Sequence, residues 1–268
     1  MIKLNGVKME QGKFPDGTLL IKYTKGYFPN ENTIEWKYEG DAELFTLICL
    51  VKHLREHNLH AQIDLIMQYL PHARMDRVKG EEDIFTLKYF CEIINSLNFR
   101  KVYVTDAHSN VGLALLDKVY EIKPLMQIRA AKEMIIGGLP EDEELMVFFP
   151  DEGAMKRYSS EINIPFAFGI KRRDWETGKI LGLDLAGEVD SIAGRNILII
   201  DDICSRGGTF YHSAKALKEA GAANVYLYVT HCENTIHEGE LLKEDSLIER
   251  IYTTNSLITE YHDKITLV

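Results

Sequence analysis

The strongest chemical signal in the sequence is a pair of adjacent carboxylates followed by a turn of small residues. Asp201 and Asp202 follow the apolar run at 197–200, and the segment Ser-Arg-Gly-Gly-Thr at 205–209 leads into a helical pattern. Glycines let a backbone approach a ligand, and the free N–H groups of a helix start favour an anion. Adjacent carboxylates suit ribose hydroxyls or a Mg²⁺ ion. The alternative is a tight strand-to-helix turn with an Asp N-cap, but the complete strand–loop–helix unit favours phosphate binding.

Further polar clusters lie at the ends of other predicted strands. They occupy residues 72–77, 106–108, 151–153 and 171–173. Taken singly, each has an ordinary structural explanation: His108 as a satisfied polar residue, Arg74 and Arg77 as ion-pair partners of Asp76, and the basic run at 171–173 as a solvated surface. Their shared position at strand ends favours a functional site, because ligands of parallel sheets bind beyond the carboxyl ends of the strands.

The elements that must position these clusters follow one plan twice. An apolar strand, a polar loop, a helix and a second strand run from 63 to 108, and the same order recurs from 196 to 232. Apolar strands alternating with helices are typical of buried parallel sheets. We therefore predict an α/β fold of two similar domains, 1–124 and 125–268, each a mainly parallel sheet flanked by helices.

Composition narrows the class of protein. The chain has 268 residues, 46% of them hydrophobic and 27% charged, and a formal net charge of −10. This charge argues against a sequence-independent nucleic-acid binder, and no apolar run approaches the roughly 20 residues that span a bilayer. No secretory signal is visible. The four cysteines form no CxxC pair, so we expect neutral thiols, no structural zinc and a cytoplasmic location.

The loop at 201–209 resembles the phosphoribosyl diphosphate (PRPP) motif of type I phosphoribosyltransferases and ribose-phosphate pyrophosphokinases. Five other segments, in family order, resemble the pyrophosphokinases. They are Phe14-Pro15-Asp16-Gly17, His72-Ala73-Arg74-Met75-Asp76-Arg77, Thr105-Asp106-Ala107-His108, Pro150-Asp151-Glu152-Gly153 and Lys171-Arg172-Arg173. The resemblance extends over about residues 12 to 255. It implies two phosphoribosyltransferase-like domains, with an ATP side in the first and a ribose-phosphate side in the second.

The resemblance also implies an activity: Mg²⁺-dependent transfer of the β,γ-diphosphate of ATP to the C1 hydroxyl of a ribose 5-phosphate group, with release of AMP. The implied catalytic residues are Lys171 and Arg173. The implied ATP-binding residues are Phe14, Asp16, Arg74, Arg77 and His108. The implied ribose-phosphate residues are Asp201, Asp202, Ser205, Arg206, Gly207, Gly208 and Thr209. The implied metal residues are His108 and Asp151. The family's Phe14-type loop completes the ATP site of a neighbouring subunit, so we expect at least a homodimer.

The chain departs from the family pattern at several positions. Thr18 and Met75 replace a Glu and a Gln on the adenine side, and the chain is shorter at both ends than the usual pyrophosphokinase. In the phosphate loop, Ser205 and Arg206 stand where the family has Asp and Thr. Arginine favours bidentate contact with phosphate oxygens. The acceptor is therefore either ribose 5-phosphate, with Arg206 facing solvent, or a 5-substituted form such as ADP-ribose.

Two other functions remain open from the sequence. A phosphoribosyltransferase would need a base-binding hood in place of the ATP segments. A non-catalytic regulatory subunit would tolerate the loss of the family's loop Asp at Ser205. His57, His60 and the acidic run 141–144 show no partner at ligand spacing, and we expect them to lie on the surface.

Overall fold

The structure of the chain is a computed structural model that describes residues 1–23, 28–141, 143–162, 164–173 and 180–268, without the side chains of 171–173 and 180–182. It divides into two compact units, Met1–Lys123 and Pro124–Val268. Each unit has its own sheet and its own hydrophobic core. The predicted α/β class, with sheets rich in parallel strands and flanked by helices, is confirmed.

The first unit is a six-stranded sheet with three helices and a separate hairpin. Its strands are β1 (Ile2–Leu4), β2 (Val7–Lys8), β3 (Glu10–Lys13), β4 (Leu19–Lys22), β5 (Glu31–Trp36), β6 (Gln62–Met67), β7 (Lys101–Thr105) and β8 (Val119–Ile122); its helices are α1 (Ala42–His57), α2 (Thr86–Ser96) and α3 (Asn110–Leu115). The sheet order is β2-β1-β5-β6-β7-β8, and β3 pairs with β4 alone. From β5 to β8 all neighbours are parallel, so their carboxyl ends share one edge.

A buried carboxylate ties helix α1 to this sheet. Glu43 accepts hydrogen bonds from the Trp36 indole at 2.9 Å and from the Glu39 amide at 2.8 Å. Asp41 is the N-cap residue of α1, but its carboxylate makes no capping bond. It instead accepts from the Tyr38 hydroxyl at 2.8 Å and lies 3.2 Å from His72 Nε2. The start of α1 is therefore held through the loops that follow β5 and β6.

The second unit is a seven-stranded sheet between helices. Its strands are β9 (Leu145–Phe149), β10 (Phe166–Arg173), β11 (Ile180–Gly187), β12 (Asn196–Cys204), β13 (Asn224–Cys232), β14 (Ile251–Thr253) and β15 (Ile265–Leu267); its helices are α4 (Leu125–Ile136), α5 (Glu152–Tyr158) and α6 (Gly208–Glu219). Short 3₁₀ helices lie at Ser159–Glu161, Val189–Ser191 and Asn234–Glu238. The order is β11-β10-β9-β12-β13-β14-β15, with β10 and β11 antiparallel and the rest parallel.

The central strand β12 is apolar along its first half because both of its faces are covered. Ile197 and Ile199 pack into one core cluster, and Leu198 and Ile200 pack into the cluster on the opposite face. All four side chains are at most 1% exposed. A strand buried on both faces reads as a continuous apolar run rather than as an alternating one, which is why the sequence pattern identified it.

Most predicted elements are present, and the differences lie at their ends. The apolar run at 197–200 does not end its strand, since β12 continues through both aspartates to Cys204. Strand β8 was not predicted, because its alternating half-buried and exposed residues give little hydrophobic signal. Among the described residues, no helix is both long enough and apolar enough to cross a bilayer.

An ion pair at the opposite end of the first sheet tests how this unit is held together. The Arg100 guanidinium donates to both oxygens of Asp64, at 2.8 and 2.7 Å, and the Asp64 side chain is only 12% exposed. Hydrogen bonds from Arg100 lower the pKa of Asp64, against the opposing effect of burial. A lowered folded-state pKa adds stability above the ordinary Asp value of about 3.9, and this stability is lost as pH falls through the folded value.

We predict that Arg100→Gln costs about 2 kcal/mol of unfolding free energy at pH 7, because it leaves a largely buried carboxylate unpaired. The cost should shrink at about pH 3 as Asp64 becomes protonated. Urea unfolding at both pH values measures this. Arg195→Gln is the matched control, since Arg195 pairs with Glu144, whose side chain is 68% exposed, and this pair should contribute little. An equal loss in both variants, or a loss independent of pH, would contradict the prediction.

Candidate functional site: carboxylates and a glycine loop in the second unit

Strand β12 presents its two aspartates to opposite faces of the sheet. Side chains alternate along a strand, so Asp201 follows Ile199 on the α6 side and Asp202 follows Ile200 on the α5 side. Asp201 is half-buried, whereas Asp202 is only 2% exposed. The adjacent carboxylates therefore have different surroundings, and they cannot do the same work.

Asp202 forms an ion pair with Arg157 of helix α5. Arg157 Nη1 lies 3.0 Å from Asp202 Oδ1, and the two side chains are 22% and 4% exposed. A charge this deeply buried is tolerated only when it is paired. Arg157 therefore neutralises one carboxylate of the pair and fixes it against α5.

Among the residues whose side chains the structure describes, Asp201 has no comparable ion pair with a cation. Burial raises its pKa well above the ordinary value, and the charges of Asp202 and Asp151 raise it further. Asp151 follows β9, the strand next to β12, and its Oδ1 accepts from the Ala154 amide at 3.0 Å as the N-cap of α5. The structure thus brings Asp151, Asp201 and Asp202 together at the carboxyl edge of two adjacent parallel strands.

The loop after β12 turns sharply into helix α6. Gly207 adopts φ +79° as the N-cap residue, a left-handed conformation that favours glycine. A Cβ at Gly207 would lie 2.3 Å from the Leu241 side chain, whereas a Cβ at Gly208 would meet nothing within 4 Å. The loop is therefore packed on one side and open where the first amides of α6 begin, and such amides are suited to an anion.

A segment after β13 supports the packed side of this loop. Ser205 Oγ lies 2.9 Å from Thr235 Oγ1, and the Glu233 amide donates to the Cys204 carbonyl at 2.9 Å. A Cβ at Gly239 would lie only 1.9 Å from the Arg206 carbonyl oxygen. Only glycine fits there without moving backbone, so residues 233–239 set the shape of the loop.

Arg206 pairs with this supporting segment. Its Nε and Nη2 lie 2.8 and 2.7 Å from Glu238 Oε2, and the two side chains are 70% and 56% exposed. Arg206 is thus exposed, as the ribose 5-phosphate alternative predicted, but it is paired with a carboxylate. The positive charge that distinguishes this loop from the family pattern is largely offset in the structure as it stands.

The donor atoms of the acidic edge fit a Mg²⁺ ion by their chemistry. Mg²⁺ takes carboxylate oxygens, usually one or two from the protein. The raised pKa of Asp201 marks a carboxylate whose charge is repelled by its neighbours, and a divalent cation would relieve this repulsion. Asp151 and Asp201 are the residues that would hold such an ion, because Asp202 already pairs with Arg157.

In the first unit, Phe14 and Asp16 form the tip of the β3–β4 hairpin. The Gly17 amide donates to the Phe14 carbonyl at 2.9 Å, and Asp16 Oδ1 accepts from the Thr18 hydroxyl and amide at 2.7 and 3.0 Å. These bonds lower the pKa of Asp16. The segment forms a tight turn, and the Phe14 ring is 49% exposed on it.

Two neighbouring loops of the first unit also come together. Asp76 is buried, and Arg77 Nε donates to its Oδ1 at 2.9 Å. Burial raises the pKa of Asp76, but hydrogen bonds from Arg77 and Ser109 outweigh it and leave the pKa lowered. Ser109 and His108 follow β7, which is parallel to β6, so the 72–77 and 106–109 segments share one edge. Arg74 is exposed beside them.

The structure does not describe how the other predicted site residues come together. Lys171 and Arg173 end strand β10 and pair through their backbones with Leu183 and Ile180, but their side chains lie outside the described part of the structure. His108 and Asp151, the predicted metal residues, belong to the first and the second unit respectively, and their metal-binding role stays a prediction. The carboxylates that accompany Asp151 are Asp201 and Asp202.

The structure adds residues that sequence reasoning missed. Arg157 lies near the end of a seven-residue helix that begins at Glu152, and its position two turns past a strand end was an available signal. Thr235 and Glu238 carried no signal, because a 3₁₀ segment has no hydrophobic period. The expectation that His57 has no partner at ligand spacing is wrong, since it lies with His53 and Glu56 on one face of α1.

The contrast between the two aspartates gives opposite stability predictions. At pH 7 we expect Asp201→Asn to melt no lower than wild type, because it removes a carboxylate whose raised pKa disfavours folding above about pH 4. Below that pH the carboxyl is protonated in both states, so the difference should vanish. Asp202→Asn should cost about 1–3 kcal/mol, because Arg157 loses its partner. Calorimetry of both variants at pH 7 and pH 4 decides, and a lower melting temperature for Asp201→Asn at pH 7 would contradict the prediction.

Comparisons with known proteins show what the chain is similar to. The model of the phosphoribosyl synthetase-associated domain matches residues 182–266. Ribose-phosphate pyrophosphokinases from Saccharolobus solfataricus and Sulfurisphaera tokodaii are 26% and 27% identical, over 97% and 98% of this chain and 88% of each relative. The enzyme of the same name from Pyrococcus abyssi is 26% identical, over 98% of this chain and 89% of its own.

A solved structure supports the fold. The phosphoribosylpyrophosphate synthetase from Mycobacterium smegmatis superposes with a TM-score of 0.76 at 18% identity, over 97% of this chain and 85% of that one. At this identity the likeness concerns the fold. Together with the sequence relatives it confirms the predicted resemblance and the prediction of an enzyme: this chain is similar to the ribose-phosphate pyrophosphokinases and shares the fold of a phosphoribosylpyrophosphate synthetase.

Proposed function

We propose that the chain is a Mg²⁺-dependent pyrophosphokinase that transfers the β,γ-diphosphate of ATP to the C1 hydroxyl of ribose 5-phosphate, giving PRPP and AMP. The single observation that carries this proposal is the edge of the second unit. There, Asp151 and Asp201 lie beside a glycine loop that opens onto the first amides of α6. This combination suits a sugar that carries hydroxyls and a terminal phosphate.

Each part of the acceptor has a matching group in this unit. Gly207, Gly208 and Thr209 hold the 5-phosphate at the start of α6, where amide N–H groups and the helix dipole favour an anion. Asp201 accepts hydrogen bonds from the ribose hydroxyls. Asp202 acts indirectly, because it is buried and fixes the edge through Arg157.

ATP is assigned to the first unit. Arg74, Arg77 and His108 bind its phosphates, since their segments follow neighbouring parallel strands. Phe14 and Asp16 contact adenosine from a hairpin tip, where an apolar ring is left 49% exposed. Such an exposed ring fits a base or a neighbouring subunit, and we therefore propose at least a homodimer.

Diphosphoryl transfer depends mainly on positioning and charge neutralisation. Lys171 and Arg173 neutralise the charge of the transferring diphosphate. Bound Mg²⁺ would supply further charge neutralisation and would orient phosphate oxygens.

The described cysteines are all free thiols; the Cys232 thiol and burial raise the pKa of Cys204, and burial raises that of Cys91 to about 12. Neutral thiols fit the proposed cytoplasmic location.

A second acceptor class remains a candidate because of Arg206. This guanidinium adjoins the phosphate loop and is 70% exposed. If it swings away from Glu238, it could bind the distal phosphate of a 5-diphosphate such as that of ADP-ribose, whose product would be the corresponding 1-diphosphate. The pairing with Glu238 makes ribose 5-phosphate the favoured acceptor.

Product identification tests the proposed function. We predict that the full chain with ATP, Mg²⁺ and ribose 5-phosphate yields equal amounts of AMP and a 1-diphosphorylated ribose, as measured by ³¹P NMR and mass spectrometry. Asp201→Asn, which should fold at least as well as wild type, should lose most of this activity. ADP with a monophosphorylated sugar would indicate ordinary kinase chemistry. Absence of any ATP-dependent product would favour a regulatory subunit.

Acceptor choice can be tested at the Arg206–Glu238 pair. We predict that Glu238→Gln raises the ratio of kcat/KM for ADP-ribose over ribose 5-phosphate by up to about fivefold, because an exposed ion pair is worth at most about 1 kcal/mol. Arg206→Thr with Ser205→Asp should lower that ratio by about ten- to a hundredfold, since a charge-assisted phosphate contact contributes roughly 1.5–3 kcal/mol.

Glu240→Gln is the matched control for this experiment. Glu240 lies two residues from Glu238, pairs with Lys243 at 2.7 Å and is similarly exposed. It makes the same change in charge without touching Arg206. A ratio that moves equally in both glutamine variants would show a general charge effect. If wild type and all variants ignore ADP-ribose, ribose 5-phosphate alone is the acceptor.

A further inference from the structure

Helix α1 carries a compact group of nitrogen and oxygen donors far in sequence from the acidic edge. The donor atoms of His53, Glu56 and His57 all lie within 4.8 Å of one another. Across the residues that the structure describes, no other three histidine, cysteine or acidic side chains meet this condition. Spacings of three and four residues place the three side chains on one face of the helix.

An aromatic wall fixes the two imidazoles. The Phe28 ring stacks on His57 with centroids 4.4 Å apart, and meets His53 edge-on at 5.4 Å. Tyr23 also stacks on Phe28, with ring centroids 5.0 Å apart. Asn58 holds this wall in place, because its amide donates to the Phe28 carbonyl at 3.2 Å. The rings are therefore ordered by packing before any ligand binds.

The hydrogen bonding of His57 also suits a ligand. Its Nδ1 lies 3.0 Å from the His53 carbonyl oxygen, so this nitrogen carries the proton and donates. The neutral tautomer then leaves the lone pair on Nε2. A metal-binding histidine typically donates its second N–H to a backbone carbonyl in this way. The nearby Arg55 is directed elsewhere, since its Nη2 donates to the Asn98 carbonyl at 2.7 Å.

We propose that His53, Glu56 and His57 bind a transition-metal ion of the Zn²⁺ class. Two imidazoles and one carboxylate form a donor set that zinc uses when three protein ligands leave a fourth position for water. Imidazole nitrogen selects Zn²⁺, Ni²⁺ or Cu²⁺ over Mg²⁺ and Ca²⁺, which prefer oxygen. Histidines one helical turn apart are also the spacing of helix-borne zinc sites.

Space beside His53 is consistent with the open position. A cavity of about 250 Å³ adjoins this imidazole. It is otherwise lined by Met9, Ile21, Tyr23, Cys49 and Leu50. A small ligand of the metal could extend into it. The site lies in the first unit and the acidic edge in the second, so this inference does not rest on the proposed function.

Calorimetric titration with ZnCl₂ tests the proposal. The full chain, free of any affinity tag and stripped with chelator, is titrated in millimolar Mg²⁺ so that oxygen sites are already filled. We expect one Zn²⁺ per chain, and at least about tenfold weaker binding in His53→Gln and in His57→Gln. His60→Gln is the control, because His60 is an exposed histidine outside the group and should leave binding unchanged.

Two further measurements distinguish a loss of metal binding from a loss of folding. Co²⁺ bound in place of zinc should give visible absorption bands in wild type that are lost in His57→Gln. Glu56 and His57 are exposed, so their Gln variants should melt like wild type without metal even if His53→Gln does not fold. No Zn²⁺ binding in Mg²⁺, undiminished binding in the His57→Gln and Glu56→Gln variants, or an equal loss in His60→Gln would overturn the proposal.

Discussion

The second unit is organised around negative charge confined to the edge of two parallel strands. Asp151 follows β9, and Asp201 and Asp202 lie near the end of β12; burial, and then repulsion from Asp202 and Asp151, raises the pKa of Asp201. Arg157 neutralises only Asp202, the carboxylate that is least exposed. Asp202 therefore stabilises the fold, whereas the Asp201 carboxylate remains able to bind a cation or sugar hydroxyls. Adjacent aspartates can divide the work in this way because neighbouring residues of a strand face opposite sides.

The glycine loop depends on this edge and on the segment that supports it. Gly207 and Gly239 are required by close approach, to Leu241 and to the Arg206 carbonyl respectively. Because the 233–239 segment contacts the loop through side chains and backbone, a change in either can alter the phosphate pocket. The Arg206–Glu238 pair shows how the two vary together: the arginine that departs from the family pattern faces a carboxylate that offsets it.

Much of the fold was predictable because its strands are buried on both faces or alternate with amphipathic helices. Such hydrophobic patterns are present in strands β9, β12 and β13 and in helices α1, α2 and α6. The hairpin tip at Phe14 carried a different local signal, its turn residues. Strand ends were less predictable: β12 runs on through Asp201 and Asp202 because its parallel pairing with β13 continues to Cys204. Ladder hydrogen bonds there outweigh the polar character that indicated a loop.

The candidate site was predictable in its residues but not in its partnerships. The aspartates and glycines were identifiable from type and spacing, whereas the Arg157–Asp202 pair depends on how a short helix packs across a strand. The His53, Glu56 and His57 group was overlooked for a related reason. The three side chains lie together because the turns of the helix place them on one face and because Phe28 packs against the histidines. Phe28 lies 25 residues earlier in the chain than His53, so this contact could not be read from local sequence.

The central claim is that the hydroxyl of the sugar attacks the β-phosphorus of ATP, so that two phosphates move as a unit. Reaction with ATP that carries ¹⁸O in the bridge between its α- and β-phosphates tests this most directly. Attack at the β-phosphorus breaks the bond between this phosphorus and the bridge oxygen, so mass spectrometry should find the ¹⁸O in AMP and none in the sugar diphosphate. Label in a released pyrophosphate, with AMP joined to the sugar, would instead place the attack at the α-phosphorus and contradict the account.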